Sequence, residues 1–196
     1  MNNFLLNRNF LASLAAIFLP TLAYAHTGLG TMPGFGEGLG HPWSGTDHMV
    51  AMVAVGIWAF QSGGKGVWAI PTSFVAMMLV GGILGFSGVR LPFVEQGIFM
   101  SILVFGILIA AAAQFPLLVS MMITGAFAIF HGHSHGTEIP AAVSGLFYSI
   151  GFIAATTALH LAGIAAAFAV SSQESRPVFI RFAGVAIALS VVIIYF

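Results

Sequence analysis

The chain has 196 residues, of which 59% are hydrophobic and 5% charged, and its mean hydropathy is +1.05. A soluble domain carries about a quarter charged residues, so this composition excludes a water-facing globular fold and makes lipid the solvent for most of the chain. Five basic and five acidic residues cancel, and there is no Cys, which excludes nucleic-acid binding through a basic patch, a disulfide framework and thiolate metal sites.

Residues 1–25 read as a cleavable signal peptide. Arg8 supplies the positive start, 10–19 the apolar core, and Ala23-Tyr24-Ala25 a small-x-small cleavage site. The alternative is an uncleaved first helix, but the apolar run is about 10 residues against the about 20 that a span needs. Residues 26–196 then form a single transmembrane domain whose mature N-terminus, His26, lies outside the cytoplasm. The Gly-rich stretch 26–40 reads as an extracytoplasmic loop.

Apolar runs divide the rest into spans at 45–60, 67–87, 96–113, 116–130, 141–170 and 177–195. The fold class expected is therefore all-α, a polytopic membrane bundle of about six transmembrane helices joined by short connections. The fifth span is the anomaly. About 30 residues at 1.5 Å rise exceed a hydrocarbon core of about 30 Å, and Gly145, Gly151 and Gly163 are the expected hinges. The other span glycines, Gly81, Gly82 and Gly85 among them, suit close helix approach. Six crossings from an outside N-terminus put Lys65, Arg176 and Arg181 in the cytoplasm and leave Arg90 outside, as the positive-inside rule prefers.

Seven His in so apolar a chain require explanation. The first group is His41-Pro42-Trp43-Ser44-Gly45-Thr46-Asp47-His48. In a regular helix His41 and His48 share a face with backbones about 10 Å apart, so both reach one ion only if the helix unwinds at Gly45. Asp47 is either a direct ligand or the acceptor that orients an imidazole; the competing reading is a polar helix cap. The second group is His131-Gly132-His133-Ser134-His135-Gly136-Thr137-Glu138. If the fourth helix continues into it, His131, His135 and Glu138 share a face and His133 points elsewhere; otherwise the tract is an exposed scavenging loop. The third is His160, one turn from Thr156 in the fifth span. It is either a ligand in transit or an imidazole bonded to a neighbouring helix's carbonyl. Once cleaved, His26 offers a terminal amine and an imidazole as a bidentate chelate. Imidazole with carboxylate suits Ni²⁺, Co²⁺, Zn²⁺, Cu²⁺ or Fe²⁺.

The segment His41 to His48 followed by Ala51-Met52, with the tract His131 to Glu138 and the pairs Ala155-Thr156 and Leu159-His160, resembles the HupE/UreJ family of nickel and cobalt permeases. The resemblance spans the mature chain. It implies uptake of Ni²⁺ or Co²⁺ in a bacterial inner membrane, with the metal as cargo, no permanently bound cofactor and no enzymatic activity. The expected ligands are His41, Asp47, His48, His131, His135 and Glu138, with His133, His160 and His26 as further donors. The expected partners are the divalent ion and the bilayer, with no nucleic acid; a homo-oligomer stays open. No G-x-x-x-x-G-K-[ST] pattern is present, so ATP hydrolysis on this chain is not expected.

Overall fold

The computed structural model describes residues 34–170 and 176–195. The expected signal peptide, the ligand His26, the connection 171–175 and the side chain of Arg176 lie outside the described residues. Among the described residues the chain is all-helical: α1 (Phe35–Gly40), a 3₁₀ turn (His41–Trp43), α2 (Thr46–Ser62), α3 (Gly66–Phe86), α4 (Val94–Ala111), α5 (Leu117–Thr137), α6 (Gly145–Ala169) and α7 (Arg176–Tyr195).

Five of these helices, α3 to α7, are long and apolar enough to cross a membrane. They present large apolar side chains outward, among them Ile83, Ile107, Leu118, Phe168, Phe182 and Ile193. In water such a surface would drive aggregation; in lipid it is the solvated face. α2 has 17 residues and is the most enclosed helix. Ala54, Val55, Gly56, Ile57, Trp58 and Ala59 are buried in succession, so every side of its lower half meets protein, in this case α3, α4, α6 and α7. Uniform apolarity around a helix is what a central position requires.

The most extensive helix contact is that of α3 with α5. Gly132 and Gly136, one turn apart on α5, face α3. A methyl group on Gly132 would overlap the Met78 carbonyl oxygen, and one on Gly136 the Gly82 carbonyl oxygen. With no hydrophobic effect between helices in lipid, such backbone approach is what dispersion and packing can act on. It also fixes the rotation of α5 and hence the direction of His131 and His135 on its neighbouring side.

The spans differ from expectation at three places. α5 runs on to Thr137 rather than stopping at 130, so the His-rich tract is helical. α6 begins at Gly145 rather than 141, because Pro140 starts a turn closed by Val143 N–H to the Pro140 carbonyl (3.1 Å) and Ser144 is extended. That leaves 25 residues. Gly151 and Gly163 are not hinges: α6 is unbroken across both, and a methyl on either would overlap the Phe35 or the Val53 carbonyl oxygen. They are contact points with α1 and α2.

The two ends of the bundle differ in chemistry. The Tyr195 hydroxyl donates to Asp47 Oδ2 (3.2 Å), which brings the end of α7 to the start of α2; this is the site end. At the far end Trp58 Nε1, Gln61 Nε2 and Arg181 Nε donate to the carbonyls of Ala113, Ile109 and Ala110. These carbonyls lie at and just beyond the end of α4, where backbone acceptors have spare capacity. Exposed Lys65 also lies at the far end, and exposed Arg90 at the site end.

Candidate metal centre

The centre begins where the helix breaks. Gly45 is extended (φ −104°, ψ 111°), so the turn carrying His41 is detached from α2. A side chain on Gly45 would meet Asp47 Oδ1 at 2.9 Å and His48 Nδ1 at 3.1 Å, and glycine therefore leaves room for the Asp-His pair. Freed from helical register, His41 turns back over the end of α5. Its Nε2 lies 2.9 Å from Glu138 Oε2, and its ring is edge-on to His135 with centroids 4.7 Å apart.

His41, His135 and Glu138 thus place three ligand atoms within 4.8 Å of one another. The Glu138 side chain is 50% exposed and that of His41 26%, so this set opens to the surface. His135 is buried and joins it to a second pair. Its ring lies 4.3 Å from that of His48, which in turn lies 4.9 Å from that of His131. His131 is fully buried. Sequence spacing groups His131 with His135 and Glu138 on one side of α5. In the structure the outer partner of His135 and Glu138 is His41, while His131, one turn deeper, stands against His48.

The hydrogen bonds fix which nitrogens are free. Asp47 Oδ1 accepts from His48 Nδ1 (2.8 Å), so Nε2 of His48 carries the lone pair. The single proton of the Ser101 hydroxyl goes to the Ile98 carbonyl (2.6 Å). Ser101 Oγ must therefore accept from His131 Nε2 (2.9 Å), and Nδ1 of His131 carries the lone pair. An imidazole held through one nitrogen by a carboxylate or hydroxyl and free at the other is the arrangement of a metal-binding histidine. His48 Nε2, His131 Nδ1 and both ring nitrogens of His135 and His160 are buried without hydrogen-bond partners. Each such atom costs about 1–3 kcal/mol. Four histidines with that cost, three of them in ring contact, call for an occupant.

His133 stands apart. Its Nε2 donates to the Val89 carbonyl (2.7 Å), tying α5 to the segment after α3, and it does not join the other rings. His160 is fully enclosed deeper in the bundle. The carbonyl-bonded alternative for it is not realised, since neither nitrogen has such a partner among the described residues. The tract 131–137 is helical and not an exposed loop, and His48, His131, His133 and His135 are all buried.

Sequence reading missed Ser101, Tyr195 and Gly45's spacing role. Ser101 is a lone hydroxyl in an apolar span, which is a usable signal. Tyr195, at the end of the last span, reads as an ordinary interfacial aromatic. The carboxylate that orients His48 gives a direct prediction. Asp47→Asn is expected to weaken metal binding about 10–100-fold, as loss of an orienting acceptor does, with the protein still folded. Titration of the detergent-purified variant with Ni²⁺ checks it, and wild-type affinity would remove Asp47 from the site.

The family model described as HupE / UreJ protein matches residues 14–194. Protein HupE of Rhizobium leguminosarum bv. viciae is 44% identical over 181 residues, covering 91% of this chain and 92% of that protein. No solved structure matches the chain.

Proposed function

The chain belongs to the HupE/UreJ family, a family of permeases and not of enzymes, and from that premise we propose that it carries a divalent transition metal ion, Ni²⁺ or Co²⁺, inward across a bacterial inner membrane. The observation that carries this reading is the graded series of donors. Glu138 and His41 at the surface lead to His135, His48 and His131, all three buried, in ring-to-ring steps of 4.3 to 4.9 Å.

An ion entering a bundle of low dielectric loses hydration worth many kcal/mol, and only ligands along the way offset that loss. The outer set supplies two imidazoles and a carboxylate as the first waters leave. His135 belongs to both sets, so the ion exchanges His41 and Glu138 for His48 and His131 without passing through a position lacking a donor. With neutral imidazoles, the carboxylates of Glu138 and Asp47 balance a charge of +2. Nitrogen and oxygen donors without thiolate suit Ni²⁺ and Co²⁺. His160 receives the ion beyond this cluster.

Orientation follows from charge. Lys65 and Arg181 at the far end and Arg90 at the site end support six crossings, α2 to α7, with the site end outside the cytoplasm. The signal peptide would be removed before His26, which then serves as an early capture ligand. Radiolabelled Ni²⁺ and Co²⁺ supplied to proteoliposomes test the reading. Saturable uptake is expected, falling to the protein-free background in His48→Ala. Binding without uptake would make the protein a metal sensor or accessory protein instead.

A further inference from the structure

Resting on that reading, we propose that the ring of Phe74 is the closed gate of the permeation route, dividing the outer imidazole cluster from His160. Phe74 sits on α3 between Ile70 and Met78, all three buried. Its ring centroid lies 5.5 Å from that of His131 and 5.1 Å from that of His160, edge-on to the latter. The outer donors therefore end at His131 and donors resume at His160, with one hydrocarbon ring in contact with both.

Two features mark the ring as a barrier that can move. Beyond it, His160 lines a cleft of about 190 Å³ together with Thr72, Thr157 and Pro71, which opens on the outer face of the bundle past exposed Trp68 and Leu161, so there is unfilled space next to His160. Pro71 lies inside α3, three residues before Phe74. It has no amide proton for the carbonyl one turn earlier, and the helix is weakened there. Nearer the site end the same helix is held to α5 by the glycine contacts of Gly82, Gly132 and Gly136. The ring thus sits between a fixed half and a weakened one. Phenylalanine offers an ion no ligand atom, and a cation–π contact of about 2 kcal/mol does not replace the hydration of a divalent ion. Passage requires the ring to leave.

The chain has no Cys, so His160→Cys introduces a single thiol whose modification can be followed without any metal moving. The probe is a methanethiosulfonate bearing a trimethylammonium group, applied to sealed vesicles from the site-end side. A gate open in about 10% of molecules or fewer slows labelling at least about tenfold. His160→Cys is therefore expected to label at least that much more slowly than the same thiol combined with Phe74→Ala. Phe74→Leu provides a second, better-packed variant should the alanine fail to fold. Equal rates with and without the ring, whether both fast or both slow, would overturn the proposal. Gated labelling alongside failure of the wild-type protein to take up Ni²⁺ would instead sink the transport reading and leave the gate standing.

Discussion

Replacing His135 with alanine is expected to abolish metal uptake and to lower Ni²⁺ affinity more than any other single histidine substitution. Among the described residues His135 is the one imidazole that touches both His41 and His48, and it shares with Glu138 the outer group of three donors. Its removal breaks the outer set and the handover at once. Loss of an orienting neighbour costs about 10–100-fold in affinity, so loss of a ligand common to two sets should exceed about 100-fold. The fold should survive. Both nitrogens of the imidazole lack hydrogen-bond partners, so truncation removes no hydrogen bond, only the 3.9 Å approach of Nδ1 to Glu138 Oε2, and leaves a space beside Phe152, whose ring lies 4.1 Å away. Titration of the purified variant with Ni²⁺, beside a detergent melting curve, separates the two effects. Near-normal affinity would show that His41 and Glu138 act without it.

The second large effect is structural. Gly132→Leu should prevent the protein from accumulating in the membrane. Overpacking an ordinary core costs about 1–3 kcal/mol, but here the obstruction is backbone: the Met78 carbonyl and the Gly82 amide nitrogen stand where the new side chain must go. α3 and α5 have to separate, and the lost contact runs through Gly81, Gly82, Gly85 and Gly136 as well. The same shift would rotate His131 and His135 away from His48. The yield in isolated membranes and the elution profile in mild detergent read the outcome. A Gly132→Leu protein that elutes and transports like the wild type would show that the pair is not held by this contact.

These two residues also show what could be read in the sequence and what could not. The alternation of His and Gly over 131–136 is two interleaved patterns, each with a period of four. One turns His131 and His135 to the interior, and the other turns Gly132 and Gly136 to α3. Helical periodicity is enough to predict the first once α5 is allowed to continue past 130. The partner of the second was not legible, because nothing local says which of six helices will meet those glycines. The same limit governs the site. His41 and His48, seven apart, look incompatible in a regular helix, and the break at Gly45 was recognisable only as a condition for bringing them together. Which ring they would meet depended on the 94-residue separation between His41 and His135 being closed by the bundle.

Chemistry-bearing residues were legible because they are rare in lipid-facing sequence: Asp47, His48 and His160 stand out against apolar neighbours. Phe74 carries no such signal, since an aromatic in an apolar span is unremarkable until its two contacts are seen. His133 is the opposite case. Composition groups it with its neighbours, helical periodicity turns it to another face, and the hydrogen bond to Val89 shows what it does there.

The most direct measurement is X-ray absorption at the nickel edge on protein loaded with one equivalent of Ni²⁺. The arrangement predicts a first shell of nitrogen and oxygen only, with the outer-shell scattering of imidazole, and a weaker imidazole signal in His135→Ala. A shell without imidazole, or a signal unchanged by the substitution, would contradict a metal centre built on His41, His48, His131 and His135.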